Sequence, residues 1–427
     1  MHNAPQFERK QRFEGNMKKS LLAASLLAAG LSTSALANTE VTIAGWGGND
    51  VVVLNKLVNE VLVDDFKKAG IEIKYRAVEG DFSQYITNAL SAGTAPDAFY
   101  MDVAFANTFI NSGKVQANSA NLSNVSQSMI PSLNTAFEAN GEQYGLAKDF
   151  NTIALQYNKD IFDDAEVEYP TNQDSWDDLR KKLVEVKEVL GDEVAGICVM
   201  PDYARFGPFA LATGWKPFNE QGKTVLDDNF KRAFEFYTNL VTKDEVGILA
   251  TDLGQGWGGG CFGTEETAVA LEGNWISGYL RDKAPNLPYG TTLMPTDPKT
   301  GERGNLLFTV AWAVNADGKN VEATQKAVEI LTSKKAQEWV LDAGLALPSR
   351  EGLSKSEFFE QTDSESVLAK QVFDGARTGH VEPFAFRQYG AAWMTPINEA
   401  LNSVLLGQMS QDEALKIAQK KYDSMTK

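Results

Sequence analysis

Apolar positions recur at strand and helix spacing along most of the chain. Val41-Thr42-Ile43-Ala44 is a short β-prone run. Leu54, Leu57, Val58, Val61 and Leu62 follow at helical spacing, with Phe66 one turn on. Gly70 closes that helix, and a strand resumes from Ile71 to Tyr75. The Leu- and Ala-containing stretch from Tyr85 to Ala92 predicts a helix stopped at Gly93. Pro96-Asp97 then leads into Ala98-Phe99-Tyr100-Met101, a continuous apolar run of the kind that forms a buried parallel strand. Strands alternating with helices predict an α/β domain with a mostly parallel sheet. A second alternating region runs from about 150 to 305. Beyond it the pattern turns helical. Ala336, Trp339, Val340 and Ala343 form one stripe ended by Gly344, and Ile397, Ala400, Leu401, Val404 and Leu405 form another. Ser410-Gln411-Asp412-Glu413 has capping-box spacing before a last helix. No internal repeat and no low-complexity linker interrupts this order.

Length and charge narrow the classes. A chain of 427 residues is too long for one ordinary core, so two domains are expected. A net charge of −17 argues against nucleic acid or anionic lipid as a partner. Met17-Lys18-Lys19, the apolar run from Leu21 to Leu31 and the small-x-small site Ala35-Leu36-Ala37 read as a cleavable secretory signal. The mature chain is then expected to begin at Asn38, and residues 1–16 stand outside the fold reading. Five Lys/Arg and two Asp/Glu leave with residues 1–37, making the mature charge −20. No cysteine follows the signal, so the expectation is a free periplasmic protein with no lipid anchor and no stable membrane insertion. Cys198 and Cys261 are the only cysteines; they either pair in that oxidising compartment or stand as two buried thiols.

In open parallel sheets, ligands bind beyond the carboxyl ends of the strands. Gly45-Trp46-Gly47-Gly48-Asn49-Asp50 and Asp102-Val103-Ala104 sit at two such ends. An aromatic ring, glycines and carboxylates would converge there. That combination suits a sugar, whose C–H faces stack on rings and whose hydroxyls bond carboxylates and amides. A packed tryptophan beside helix-capping Asn or Asp is the competing reading. Trp46, Trp257, Trp275 and Trp312 lie next to glycine or at apparent strand ends; Trp176 and Trp339 read as structural.

Two longer patterns carry a family resemblance. Tyr144-Gly145-Leu146-Ala147-Lys148-Asp149-Phe150-Asn151-Thr152, continuing to Leu155-Gln156-Tyr157-Asn158-Lys159-Asp160-Ile161-Phe162, resembles family 1 of the extracellular solute-binding proteins, the maltose-binding-protein-like group. So does Gly256-Trp257, Phe262-Gly263 and Ala268-Val269-Ala270-Leu271-Glu272-Gly273-Asn274-Trp275, although Glu265 and Val269 replace a common glycine and methionine. Leu347-Pro348-Ser349-Arg350 and Phe384 to Trp393 are similar to later segments of that family. The resemblance implies a two-lobed periplasmic-binding-protein-like fold of type II. Its three hinge crossings fall near Asp149, Asn305 to Phe308, and Leu347 to Arg350. The N-lobe would comprise 38–149 and 308–348, and the C-lobe 150–307 and 349–427, with ligand in the cleft between them.

By position, the resemblance implies that Trp46, Asn49, Asp50 and Asp102 line the N-lobe side, with Lys148 and Asp149 at the hinge. Trp257, Glu272, Asn274 and Trp275 would come from the C-lobe, and Trp312, Arg350, Phe384 and Arg387 from later crossings. For Glu272 a structural turn carboxylate is an equal reading. The implied function is a monomeric receptor that hands a mono- or oligosaccharide to ABC-transporter permease subunits. A polyamine or phosphorylated polyol is the alternative ligand, and a carbohydrate-active hydrolase the alternative class. With His2 and His380 the only histidines, a histidine triad or histidine metal cluster has no residues to build it. Gly45-Trp46-Gly47 lacks the third glycine of a dinucleotide loop. No cofactor, metal site or catalytic residue is expected.

Overall fold

The computed structural model describes residues 38–425, apart from 48, 79–80 and 344–345 and the side chains of Asn49 and Gln388. The signal segment and the Gly344 helix stop lie outside these described residues. Strands and helices alternate from the start. β1 (Thr39–Trp46) leads into a helix, Asn49–Lys56, that continues through a π turn at Leu57–Val61 into Val63–Ala69. Gly70 ends it in the left-handed conformation at φ 66° and β2 (Ile71–Val78) follows. Phe82–Ala92 is a helix capped by the Asp81 side chain, and β3 (Ala98–Asp102) is the expected apolar run. Ala98, Phe99, Tyr100 and Met101 are all buried, each large side chain contributing about 1.5–3 kcal/mol by leaving water.

The remaining strands divide between two larger sheets. β4 (Glu138–Ala139) and β5 (Glu142–Gln143) form a small hairpin, then β6 (Leu146–Asn151) and β7 (Ala154–Asn158) run almost continuously. β8 (Ala195–Val199), β9 (Gly247–Leu249), β10 (Thr267–Glu272) and β11 (Tyr289–Thr292) precede the long β12 (Gly304–Val314) and the late β13 (His380–Pro383). The first sheet has the order β13-β12-β3-β1-β2, with β6 also on β12; the second has the order β11-β7-β10-β8-β9. The sheets are more mixed than the alternating pattern predicts. β12 runs antiparallel to β3 and β6, and β7 antiparallel to β10 and β11. These are the strands on either side of a passage between sheets, so their direction follows from where the chain enters.

The chain passes between the sheets three times. The first passage is Thr152-Ile153, between β6 and β7. The second enters β12, whose first half pairs with β13 and whose second half pairs with β6 and β3. The third follows Leu347, whose carbonyl accepts from the Phe150 backbone at 3.2 Å, before a helix, Ser364–Gly375, that packs on β11 and β7. Buried polar groups pin these passages. The Asn305 amide bonds both the N–H and the C=O of Ile153, at 3.0 and 2.8 Å. Thr152 Oγ1 donates to the Val372 carbonyl at 2.6 Å and Ser349 Oγ to the Ala147 carbonyl at 2.5 Å. An amide buried with both ends satisfied keeps its position, because any shift leaves a polar group unpaired. Cys198 and Cys261 are joined as a disulfide, tying β8 to the short helix Gly258–Phe262. Trp176 opens the helix Trp176–Leu190 behind a Ser175 capping box and is buried, as its position after Asp174-Ser175 predicts. Among the described residues no helix is long and apolar enough to cross a membrane.

Candidate functional site

A cavity of about 440 Å³ opens where the ends of β1, β3 and β6 face the residues after β10. That lies within the range of about 300–1,000 Å³ common for small-molecule sites. One wall carries the charges. Trp46, 36% exposed, ends β1 with its ring edge-on to Tyr100 at 5.1 Å. Asp50 accepts a hydrogen bond from the Tyr100 hydroxyl at 2.9 Å. Asp102 ends β3 and caps the helix Val103–Asn111, accepting from the Ala104 N–H at 2.8 Å. Lys148 and Asp149, on β6, form an ion pair, and the Lys148 ammonium sits 4.5 Å from the Tyr100 ring centre.

Burial raises the acids on this wall. Asp102 is pushed up to about 6, chiefly by loss of water and further by the negative Asp149; its helix-cap hydrogen bond acts the other way. Asp149 is also raised, because burial outweighs the neighbouring Lys148. The Tyr100 phenol is raised by burial and then by Asp50, and so remains a hydrogen-bond donor at neutral pH.

The opposite wall is built from the turn after β10. Asn151 of β6 reaches across, its Oδ1 accepting from the Asn274 N–H at 2.7 Å. Gly273 permits this approach, since a Cβ there would lie 2.7 Å from Asn151 Oδ1 and from the Trp275 ring. Asn274 is 5% exposed, and its Oδ1 has no hydrogen-bond partner among the described residues. A buried acceptor at a cavity wall is a group that a ligand hydroxyl can satisfy. Trp275 presents its ring, with Phe308 edge-on at 5.5 Å. Phe308 is the one residue of β12 that is not fully buried. Phe150, Ser277, Gly278, Arg281, Thr309, Val310 and Ala346 complete the lining.

Of the residues singled out in the sequence, Trp46, Asp50, Asp102, Lys148, Asp149, Asn274 and Trp275 share this cavity. Asn49 opens its helix, but its side chain lies outside the described residues. The others sit elsewhere. Glu272 is fully buried behind Trp275. Trp312 is 2% exposed in the core, 4.5 Å from Tyr100, because β12 is flanked by β3 and β6. Trp257 packs edge-on against Tyr279. Arg350 donates to the Thr332 carbonyl and Ser128 Oγ, both at 2.8 Å. Phe384 packs on Phe308 at 4.7 Å, and Arg387 lies over Phe218 in a second hollow with Glu382 and Lys216. Asn151, Phe308, Arg281 and Tyr100 were not singled out. Asn151 falls inside the quoted motif, and Phe308 ends the expected second crossing without a site role of its own. Among the described residues no three His, Cys, Asp or Glu side chains gather as a metal site.

Two sheets exchanging the chain three times, with aromatic and polar groups meeting between strand ends, define a two-lobed binding protein of type II. The chain belongs to the bacterial extracellular solute-binding protein family, which it matches over residues 53–338. A binding protein of Brucella abortus is 23% identical over 366 residues, covering 84% of this chain and 86% of that one. An ABC substrate-binding protein of Listeria monocytogenes, solved with cycloalternan, superposes with a TM-score of 0.80 at 20% identity, covering 91% and 99% of the two chains. The GacH receptor of Streptomyces glaucescens, solved unliganded and with acarbose, has a TM-score of 0.76 at 22% identity, covering 91% and 98%. These likenesses establish the fold.

Proposed function

We propose that this chain is the periplasmic receptor of an ABC importer, and that it captures a sugar or short oligosaccharide and delivers it unchanged to permease subunits. The observation that carries this reading is the cavity wall pairing: the Trp46 and Trp275 rings, with carboxylates Asp50 and Asp102 and the unpartnered Asn274 Oδ1 between them. Rings stack on pyranose C–H faces, and carboxylate and amide oxygens accept hydroxyl protons. The Listeria and Streptomyces proteins named above were solved with carbohydrate ligands, which supports the same ligand class here.

Lobes at 38–149 with 308–348 and at 150–307 with 349–427, apart from β13, which joins the first sheet, would close on the ligand by bending at the three passages. Export through the signal segment before Asn38, without a lipid anchor, fits this role. A thermal-shift screen of mono- and oligosaccharides, polyamines and glycerophosphodiesters tests the reading. Stabilisation by one saccharide class is expected, because ligand binds only the folded state. Stabilisation by a polyamine or glycerophosphodiester alone would replace sugar with that ligand. Cleavage products on prolonged incubation with oligosaccharides would replace receptor with hydrolase.

A further inference from the structure

Behind Trp275 lies an ion pair that does not line the cavity. Glu272 closes β10 with 0% side-chain exposure, and its Oε2 accepts from Arg205 Nη2 at 2.6 Å. The same oxygen accepts the Trp275 indole N–H at 2.6 Å. Arg205 is the only charged residue in the helix Tyr203–Ala212. Its guanidinium also lies 5.8 Å from the centre of the Trp275 ring, and Asp202 lies 3.6 Å from its Nη1. The second Glu272 oxygen, Oε1, has no hydrogen-bond partner among the described residues. Gly258 packs against it: a Cβ at that position would lie 2.6 Å from Oε1. The carboxylate is thus held by a guanidinium and an indole on one side and by close-packed backbone on the other.

Stability alone is a poor reason for such a pair. Replacing a buried ion pair with apolar residues of similar volume is often neutral or stabilising. What the pair does achieve is to fix an indole from behind. A ring whose N–H is held loses its freedom before the ligand arrives, so less entropy is lost on binding. We propose that Glu272, held by Arg205 and packed against Gly258, is a positioning residue that presents the Trp275 ring to the ligand and sets affinity without touching it. This rests on the reading of the cavity as a saccharide site.

Two readouts test it separately. In the ligand-free protein, the Trp275 indole 15N–1H resonance is assigned by its loss in Trp275→Phe. It is expected to be one sharp line in the unsubstituted protein, and to shift and broaden in Glu272→Gln and in Gly258→Ala. An unmoved resonance in both variants would overturn the positioning role, whatever the ligand proves to be. Calorimetry with maltotetraose as probe gives the second readout. Glu272→Gln and Gly258→Ala should each weaken binding about five- to tenfold, with circular dichroism unchanged. In the Trp275→Phe background, which has no N–H to hold, Glu272→Gln should add less than a further twofold. A full additional loss there would show that Glu272 acts by another route and would overturn the proposal. Should maltotetraose fail to bind the unsubstituted protein, the saccharide reading fails while the resonance still decides the positioning role.

Discussion

On the Trp46 wall, Asp50, Asp102 and Asp149 reach the cavity, and the tryptophan beside them is one-third exposed. On the Trp275 wall, the carboxylate is withdrawn behind the ring, fully buried and paired with Arg205. The same side-chain chemistry therefore serves two ends. One wall offers acceptors to a ligand; the other uses its acceptor to fix an aromatic surface. The difference follows from where each carboxylate stands. Asp50 lies in the first turn of a helix and Asp102 caps another at the open end of β3, so both side chains reach the crevice. Glu272 is the last residue of β10, in the middle of the second sheet, where both faces are covered.

The comparison can be broken most forcefully at Arg205. Arg205→Ala leaves Glu272 buried without its cation and should destabilise the fold by roughly 3–5 kcal/mol, read by denaturant unfolding. The same truncation of the partly buried Asp50 should cost less, about 1–3 kcal/mol, through the buried Tyr100 hydroxyl that loses its acceptor. Equal losses would erase the distinction between the walls.

The brace behind the Trp275 wall extends to the disulfide. Cys198→Ser with Cys261→Ser should lower unfolding stability by about 2–4 kcal/mol, through the freed denatured chain. No loss would mean that this link does not constrain the second sheet.

Asp102 sharpens the contrast through pH. Its carboxyl is raised from 3.8 to about 6, so its favourable contribution is complete below about pH 4 and is lost as pH rises through 6. Asp102→Asn keeps a helix cap and should stabilise the ligand-free protein at pH 7.5 by at most about 3 kcal/mol, with no gain at pH 4. Ligand hydroxyls prefer the ionised acid. Saccharide affinity should therefore fall about tenfold from pH 7.5 to 5 in the unsubstituted protein and stay level in the variant.

Much of this arrangement was legible in the sequence. Strand-end logic located Trp46, Asp50 and Asp102, and the family-like motifs located Lys148, Asp149, Asn274 and Trp275. Hinge passages near Asp149 and Asn305 fall where successive strands change sheet; after Leu347 only the helix Ser364–Gly375 moves to the second sheet, and β13 returns to the first. What stayed hidden depends on contacts between distant segments. Glu272 and Asn274 are two residues apart, yet one is sealed in and the other lines the cavity, because a turn intervenes. Trp312 has the look of a strand-end ring, but β12 continues past it to Val314 between two neighbours. Arg205 left one trace, a lone charge in an apolar helix, and nothing in the local sequence names its partner 67 residues away.

The central claim is that a saccharide binds between these two unlike walls, and calorimetric titration of Trp275→Ala and Trp46→Ala beside the unsubstituted protein tests it most directly. The account predicts a loss of more than tenfold, at least about 1.4 kcal/mol, for the braced Trp275 and a smaller loss for the exposed Trp46. Unchanged saccharide affinity in Trp275→Ala would contradict it.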